Sequence, residues 1–145
     1  MRKLTFSALA LTVFLAFSVH ATTAQQSLEK LQAYSAKDVE VSATKTEDAV
    51  SAKNQEMIKT IEDTVDLIVS GKEKSNPKLL KELVRVAVLT FENDPSESAS
   101  EMLLPLYKKE KKAVDEAIKS LPKKDAKELR ESLKNTAREE TEGNG

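Results

Sequence analysis

Apolar residues along this chain recur mainly at three- and four-residue steps, a spacing that predicts helices over most of its length. The clearest run lies between Thr46 and Ser70, where Val50, Met57, Ile58, Ile61, Val65 and Ile68 form one stripe. Gly71 follows, able to take the left-handed conformation that ends helices, and Lys72 and Lys74 sit near the negative end of the dipole. Asn76-Pro77 restarts the pattern, with asparagine as cap and proline at the first helical position, where its missing N–H is not needed. The helix predicted from Pro77 carries Leu80, Leu83, Val84, Ala87, Val88 and Phe91. It is apolar on more than one side and belongs at the centre of a bundle. Val84, Val86 and Val88 also alternate as in a strand, but the preceding cap and the lack of hairpin turns favour a helix. Arg85, inside this apolar run, is expected to pair with a neighbouring carboxylate or to extend to solvent.

Asp94-Pro95-Ser96-Glu97 repeats the start signal, with Glu97 placed to reach back as in a capping box. Pro105 then either kinks that helix or, after a break near Met102, opens a new one; ordinary helix lengths favour the break. Leu106, Tyr107, Ala113, Val114, Ala117, Ile118 and Leu121 mark the next face, which Pro122 closes. A last helix over 124–139 has the narrow stripe Ala126, Leu129, Leu133 and Ala137, and 141–145 reads as a disordered tail. Residues 22–45 read as a linker or mobile arm. Leu28 and Leu31 support a short helix there, while 37–45 has no wide apolar face; the alternative is one long helix through Val39, Ala43 and Thr46. The expected fold class is all-α, a small bundle of four to five helices over residues 46–140 with a poorly ordered or extended N-terminal arm.

Ahead of this domain, Met1-Arg2-Lys3, an apolar stretch over 4–19 and Val19-His20-Ala21 form the pattern of an export signal spanning residues 1–21. The apolar stretch is short for a membrane span and is diluted by Ser7, Thr12 and Ser18. Cleavage after Ala21 removes His20, the single histidine, and the chain has no cysteine. The remainder is long enough to bury a core without disulfides. It lacks the side chains that carry most proton shuttling, thiol chemistry and transition-metal binding near neutral pH.

Other absences narrow the function further. Only Tyr34, Phe91 and Tyr107 remain as aromatic residues, too few for a carbohydrate platform or a single-stranded nucleic-acid groove. Gly71 is the one glycine before the tail, so no glycine-rich loop is available to cradle phosphate. Glu62, Asp63 and Asp66 read as a solvated helix face, and Ser70 with Lys74 as a helix end. The oxygen-rich run 92–97 lacks the central glycine and alternate spacing of a calcium loop. An enzyme, a cofactor and a metal are therefore not expected.

Charge supplies the positive signal. The formal net charge is −1, which gives no global attraction to nucleic acid, yet residues 54–103 hold six basic and ten acidic groups whereas 104–134 hold ten and six. Within the second segment Tyr107, Lys108, Lys109, Lys111 and Lys112 are the candidate binding residues, a patch for anionic lipid, peptidoglycan or an acidic protein, extended by Lys123 and Lys124. A plainer reading is a solvated face in which Lys111 pairs with Asp115 and Lys112 with Glu116. The sequence thus predicts a small exported, non-enzymatic helical protein, periplasmic or extracellular, that binds or scaffolds a partner protein or another component of the bacterial envelope. The alternative is a membrane-surface protein docking on anionic lipid through an amphipathic helix and the lysines. Its oligomeric state is not legible.

Overall fold

Start and stop signals in the sequence place the helices of the computed structural model, which describes residues 22–40, 47–90 and 95–143. They are α1 (Ala24–Ala33), α2 (Ala36–Glu40), α3 (Glu47–Val69), α4 (Pro77–Thr90), α5 (Pro95–Ile118) and α6 (Lys123–Glu142). No strand occurs among the described residues, so the all-α class holds, with four helices over the predicted domain and two short ones before it. Residues 1–21, including the export pattern, lie outside the described residues, as do Phe91, the Asp94 cap and the side chains through Glu97.

Within the segment 22–45, the described residues 22–40 form two helices in place of a simple linker. A capping box opens α1: the Thr23 hydroxyl accepts from the Gln26 N–H (3.2 Å), and the Gln26 side chain accepts from the Thr23 N–H (3.0 Å). Leu28, Leu31 and Tyr34 then enter the same core as α3 and α4, which is why this part of the chain is held rather than loose. The helix stops at Tyr34, whose backbone is extended (φ −80°, ψ 135°), so α1 does not run on into α3 as one long helix. Residues 41–46 lie outside the described residues.

Positive charges close two helix C-termini in the bundle. Arg85 of α4 donates through Nη2 to the Leu31 carbonyl of α1 (2.9 Å) and through Nε to Glu82 (2.8 Å), the carboxylate pairing expected for it. At the end of α3, Gly71 adopts φ 75°, its N–H reaches the Ile68 carbonyl (3.0 Å), and Glu73 N–H reaches that of Leu67 (3.2 Å). Such a turn satisfies orphan carbonyls and needs the freedom of glycine. Asn76 caps α4 through Oδ1, accepting from the Leu79 N–H (2.9 Å). Helix α4 buries Leu79, Leu80, Leu83, Val84, Val86 and Ala87 and packs on α1, α3 and α5, the central place its pattern predicted.

Helix α5 corrects the expected break. It continues through Pro105, and its non-helical residue is Glu110 (φ −129°, ψ 45°). Pro105 is exposed while Leu103, Leu104, Leu106 and Tyr107 around it are buried, so packing on the inner side carries the helix past the lost hydrogen bond. Helix α6 lies along α5 and buries Ala126, Leu129 and Leu133; it runs to Glu142, beyond the predicted end. The fully buried Ser100 meets the hydroxyls of Ser132 (2.8 Å) and Thr136 (3.2 Å), which lets a polar side chain sit between the two helices with its hydrogen bonds made.

Candidate binding groove and the lysine cluster

Consecutive residues on a helix point about 100° apart, so a run of lysines need not form a patch. Here Lys108 turns to α6 and pairs with Glu140. Lys109 crosses to α3 and donates to the carbonyls of Ile68 (3.0 Å) and Val69 (2.8 Å), closing the end of that helix. Lys111 lies 5.8 Å from the centroid of the Tyr107 ring. Lys112 is exposed. The predicted i,i+4 pairs are replaced by other partners: Asp115 faces Arg130 of α6 (3.7 Å), and Glu116 pairs with Lys119. Tyr107 is only 4 % exposed and belongs to the core. Its hydroxyl is buried without a hydrogen-bond partner, and burial, aided by the Asp115 charge, raises its pKa above the usual tyrosine value.

A groove not singled out by residue in the sequence lies between the start of α4 and the second half of α5. It encloses about 650 Å³. Leu80, Ala113 and Ala117 form its apolar floor, Ser75 to Pro77 close one end, and Lys81, Glu116 and Lys119 line its sides. Two alanines four residues apart leave a trough because each offers only a methyl group to the opposing helix. The break at Glu110 precedes this half of α5, and its carboxylate accepts a hydrogen bond from Ser75, tying the α3–α4 loop to the bend. Lys109 is anchored to α3 beside it, so the groove is framed by contacts made by the middle of the lysine run. Asp63, Asp66, Leu67, Val69 and Lys72 line a second depression of about 590 Å³ at the α3 terminus.

Comparison with protein-family models, curated proteins and solved structures finds no match for this chain. Among the described residues, no helix is long and apolar enough to cross a membrane, and no group of three acidic or histidine side chains is placed to hold a metal ion.

The other concentration of polar contacts is structural. Tyr34, at the end of α1, donates from its hydroxyl to Glu56 of α3 (2.8 Å) and lies 3.1 Å from the Thr60 hydroxyl, while Lys53 sits over its ring at 5.0 Å and pairs with Glu56 (3.1 Å). Burial raises the Tyr34 pKa, and the hydrogen bonds from Tyr34 and Lys53 hold the Glu56 carboxyl below its ordinary value of 4.5. A lowered folded-state pKa means that this tie contributes fully above the ordinary glutamate value and is lost as pH falls through the lowered one. Carboxyl-resolved NMR titration should accordingly find Glu56 among the last glutamates to protonate, and Tyr34→Phe should move it back up.

The two tyrosines give opposite expectations for the same change. Tyr34→Phe removes a made hydrogen bond and is expected to cost about 1 kcal/mol, whereas Tyr107→Phe removes a buried unpaired hydroxyl and is expected to add about 1 kcal/mol. Urea unfolding of both variants measures the difference directly.

Proposed function

We propose that this chain is an exported, non-enzymatic binding protein that holds a segment of a partner protein of the bacterial envelope in the groove between α4 and α5. The single observation that supports this reading most is the groove itself: an apolar floor of Leu80, Ala113 and Ala117 between charged sides. Its frame is well held, since the capped start of α4 forms one wall and the Ser75–Glu110 contact fixes the other. Export rests on the basic start, apolar stretch and small-residue site within residues 1–21. Docking on anionic lipid through the lysine run has less support, because Lys108 is paired with Glu140 and Lys109 with the end of α3.

The test is competitive capture. Ala113 is half-buried in the floor, and Ala113→Leu narrows the groove while changing no charge. Protein captured from an envelope extract should be lost with Ala113→Leu and retained with Lys127→Glu on exposed α6 surface, both variants keeping the wild-type helical spectrum. Equal capture by all three chains would exclude the groove.

A further inference from the structure

We infer that the segment taken up by the α4–α5 groove is acidic, with apolar side chains between its carboxylates. This inference rests on the groove being the binding site and adds the chemistry of the occupant. One side of the groove is Lys81, with Lys78 one turn earlier on α4. On the other side Glu116 of α5 and Lys119, just past the end of that helix, line the groove, and the exposed Lys112 stands one turn before Glu116, next to the floor residue Ala113 but outside the lining. Lys119 offsets the charge of Glu116. Among the described residues, no carboxylate stands within ion-pair distance of Lys78, Lys81 or Lys112.

The placement of these cations runs against the local electrostatics of the chain. The first turn of α4 carries no acidic residue, although the N-terminus of a helix is its positive end and favours carboxylates. Lys78 is set there instead, with Lys81 directly after that turn, adding positive charge to a site that already has it. Among the described residues no carboxylate pairs with either lysine, and a local rule broken in this way is a feature of functional surfaces. A carboxylate-bearing segment supplies the missing charge to both sides at once. Its apolar contacts fall on the floor formed by Leu80 and the two alanine methyl groups.

The molecule contains its own control. The second depression, at the end of α3, is lined by Asp63 and Asp66 against a single cation, Lys72, so its charge is less favourable to the same acidic segment.

A short synthetic glutamate–alanine peptide, titrated into the full chain, tests the proposal, with amide chemical shifts mapping the site and calorimetry giving the affinity. Shifts should concentrate at Leu80, Ala113 and Ala117, and affinity should fall as salt rises. Lys81→Glu combined with Lys112→Glu should weaken binding about tenfold or more, while Lys127→Glu on α6 should change it less than about twofold. A lysine–alanine peptide should leave the groove unperturbed. The proposal is overturned if groove amides do not shift, if Lys127→Glu weakens binding as much as the groove variants, or if inorganic phosphate alone reproduces the shifts. It is equally overturned if anionic vesicles bind with the same dependence on Lys81 and Lys112, or if the chain self-associates through the groove and excludes the peptide. Should Ala113→Leu abolish capture of an envelope protein while the acidic peptide fails to bind, the groove keeps its role and only the acidic assignment falls.

Discussion

Leu31→Ala is expected to lower the unfolding free energy by about 2–5 kcal/mol, a large part of the margin by which a domain of this size is stable. Leu31 is 0 % exposed and sits in the core with Leu28 and Tyr34, on a helix whose neighbours are α3 and α4. Truncation removes the transfer free energy of the side chain and leaves a cavity between three helices that cannot all collapse inward. The carbonyl of the same residue accepts from Arg85, so loosening α1 also exposes the guanidinium that closes it. Gln32, the next residue, is exposed, and Gln32→Ala should change stability by no more than about 0.5 kcal/mol. Urea unfolding of the two variants separates a packed α1 from an N-terminal arm: an arm predicts the same small change for both.

Pro105→Ala has the opposite sign, an expected gain of about 1–3 kcal/mol. Proline within a helix forfeits one backbone hydrogen bond and crowds the preceding turn, and alanine is the best helix former to put in its place. Part of that gain is offset because alanine leaves the unfolded chain freer. Since α5 continues through Pro105, the substitution restores a bond the helix is able to make, and the exposed side chain takes no packing with it. Were α5 instead two helices with Pro105 at the first position of the second, the same change would be neutral or destabilising, because proline is favoured there. The sign of the change in midpoint therefore decides which residue interrupts α5, Pro105 or Glu110.

Much of the helix layout was legible because the chain marks its own boundaries. Gly71 and Asn76-Pro77 act as stop and start within a few residues of each other, and α3 and α4 end and begin there. Helix α1 was harder to read. Its stripe is only Leu28 and Leu31 in sequence, and the third anchor, Tyr34, lies past the last helical residue, where periodicity no longer indicates which way a side chain faces. Pro105 misled because the local conformational preference of proline is visible in the sequence, whereas the buried leucines that override it count only once the packing is known. Glu110 carries no sequence signal for a bend; it departs from helix where its carboxylate meets Ser75, a residue 35 positions earlier in the chain.

The lysine run shows the same limit at the site. Five neighbouring residues read as one surface feature, but rotation about the helix sends Lys108 to Glu140, Lys109 to the end of α3, Lys111 over Tyr107, and Tyr107 into the core. What remains for a partner is Lys112 and the side chains around the groove. The alanines of its floor were visible as part of an apolar stripe; that Leu80 and Lys81 stand opposite them depends on how α4 and α5 cross, which spacing along one helix does not encode.

The most direct measurement places a photo-reactive side chain at Ser120, which lines the groove and is exposed, and another at Lys127 on the exposed face of α6. After irradiation in an envelope extract, adducts are mapped by mass spectrometry. The account predicts a defined protein adduct from position 120, formed on an acidic stretch of the partner and suppressed by Ala113→Leu, with little or none from position 127. Adducts of equal yield and identity from the two positions, or adducts at 120 that survive Ala113→Leu unchanged, would contradict it.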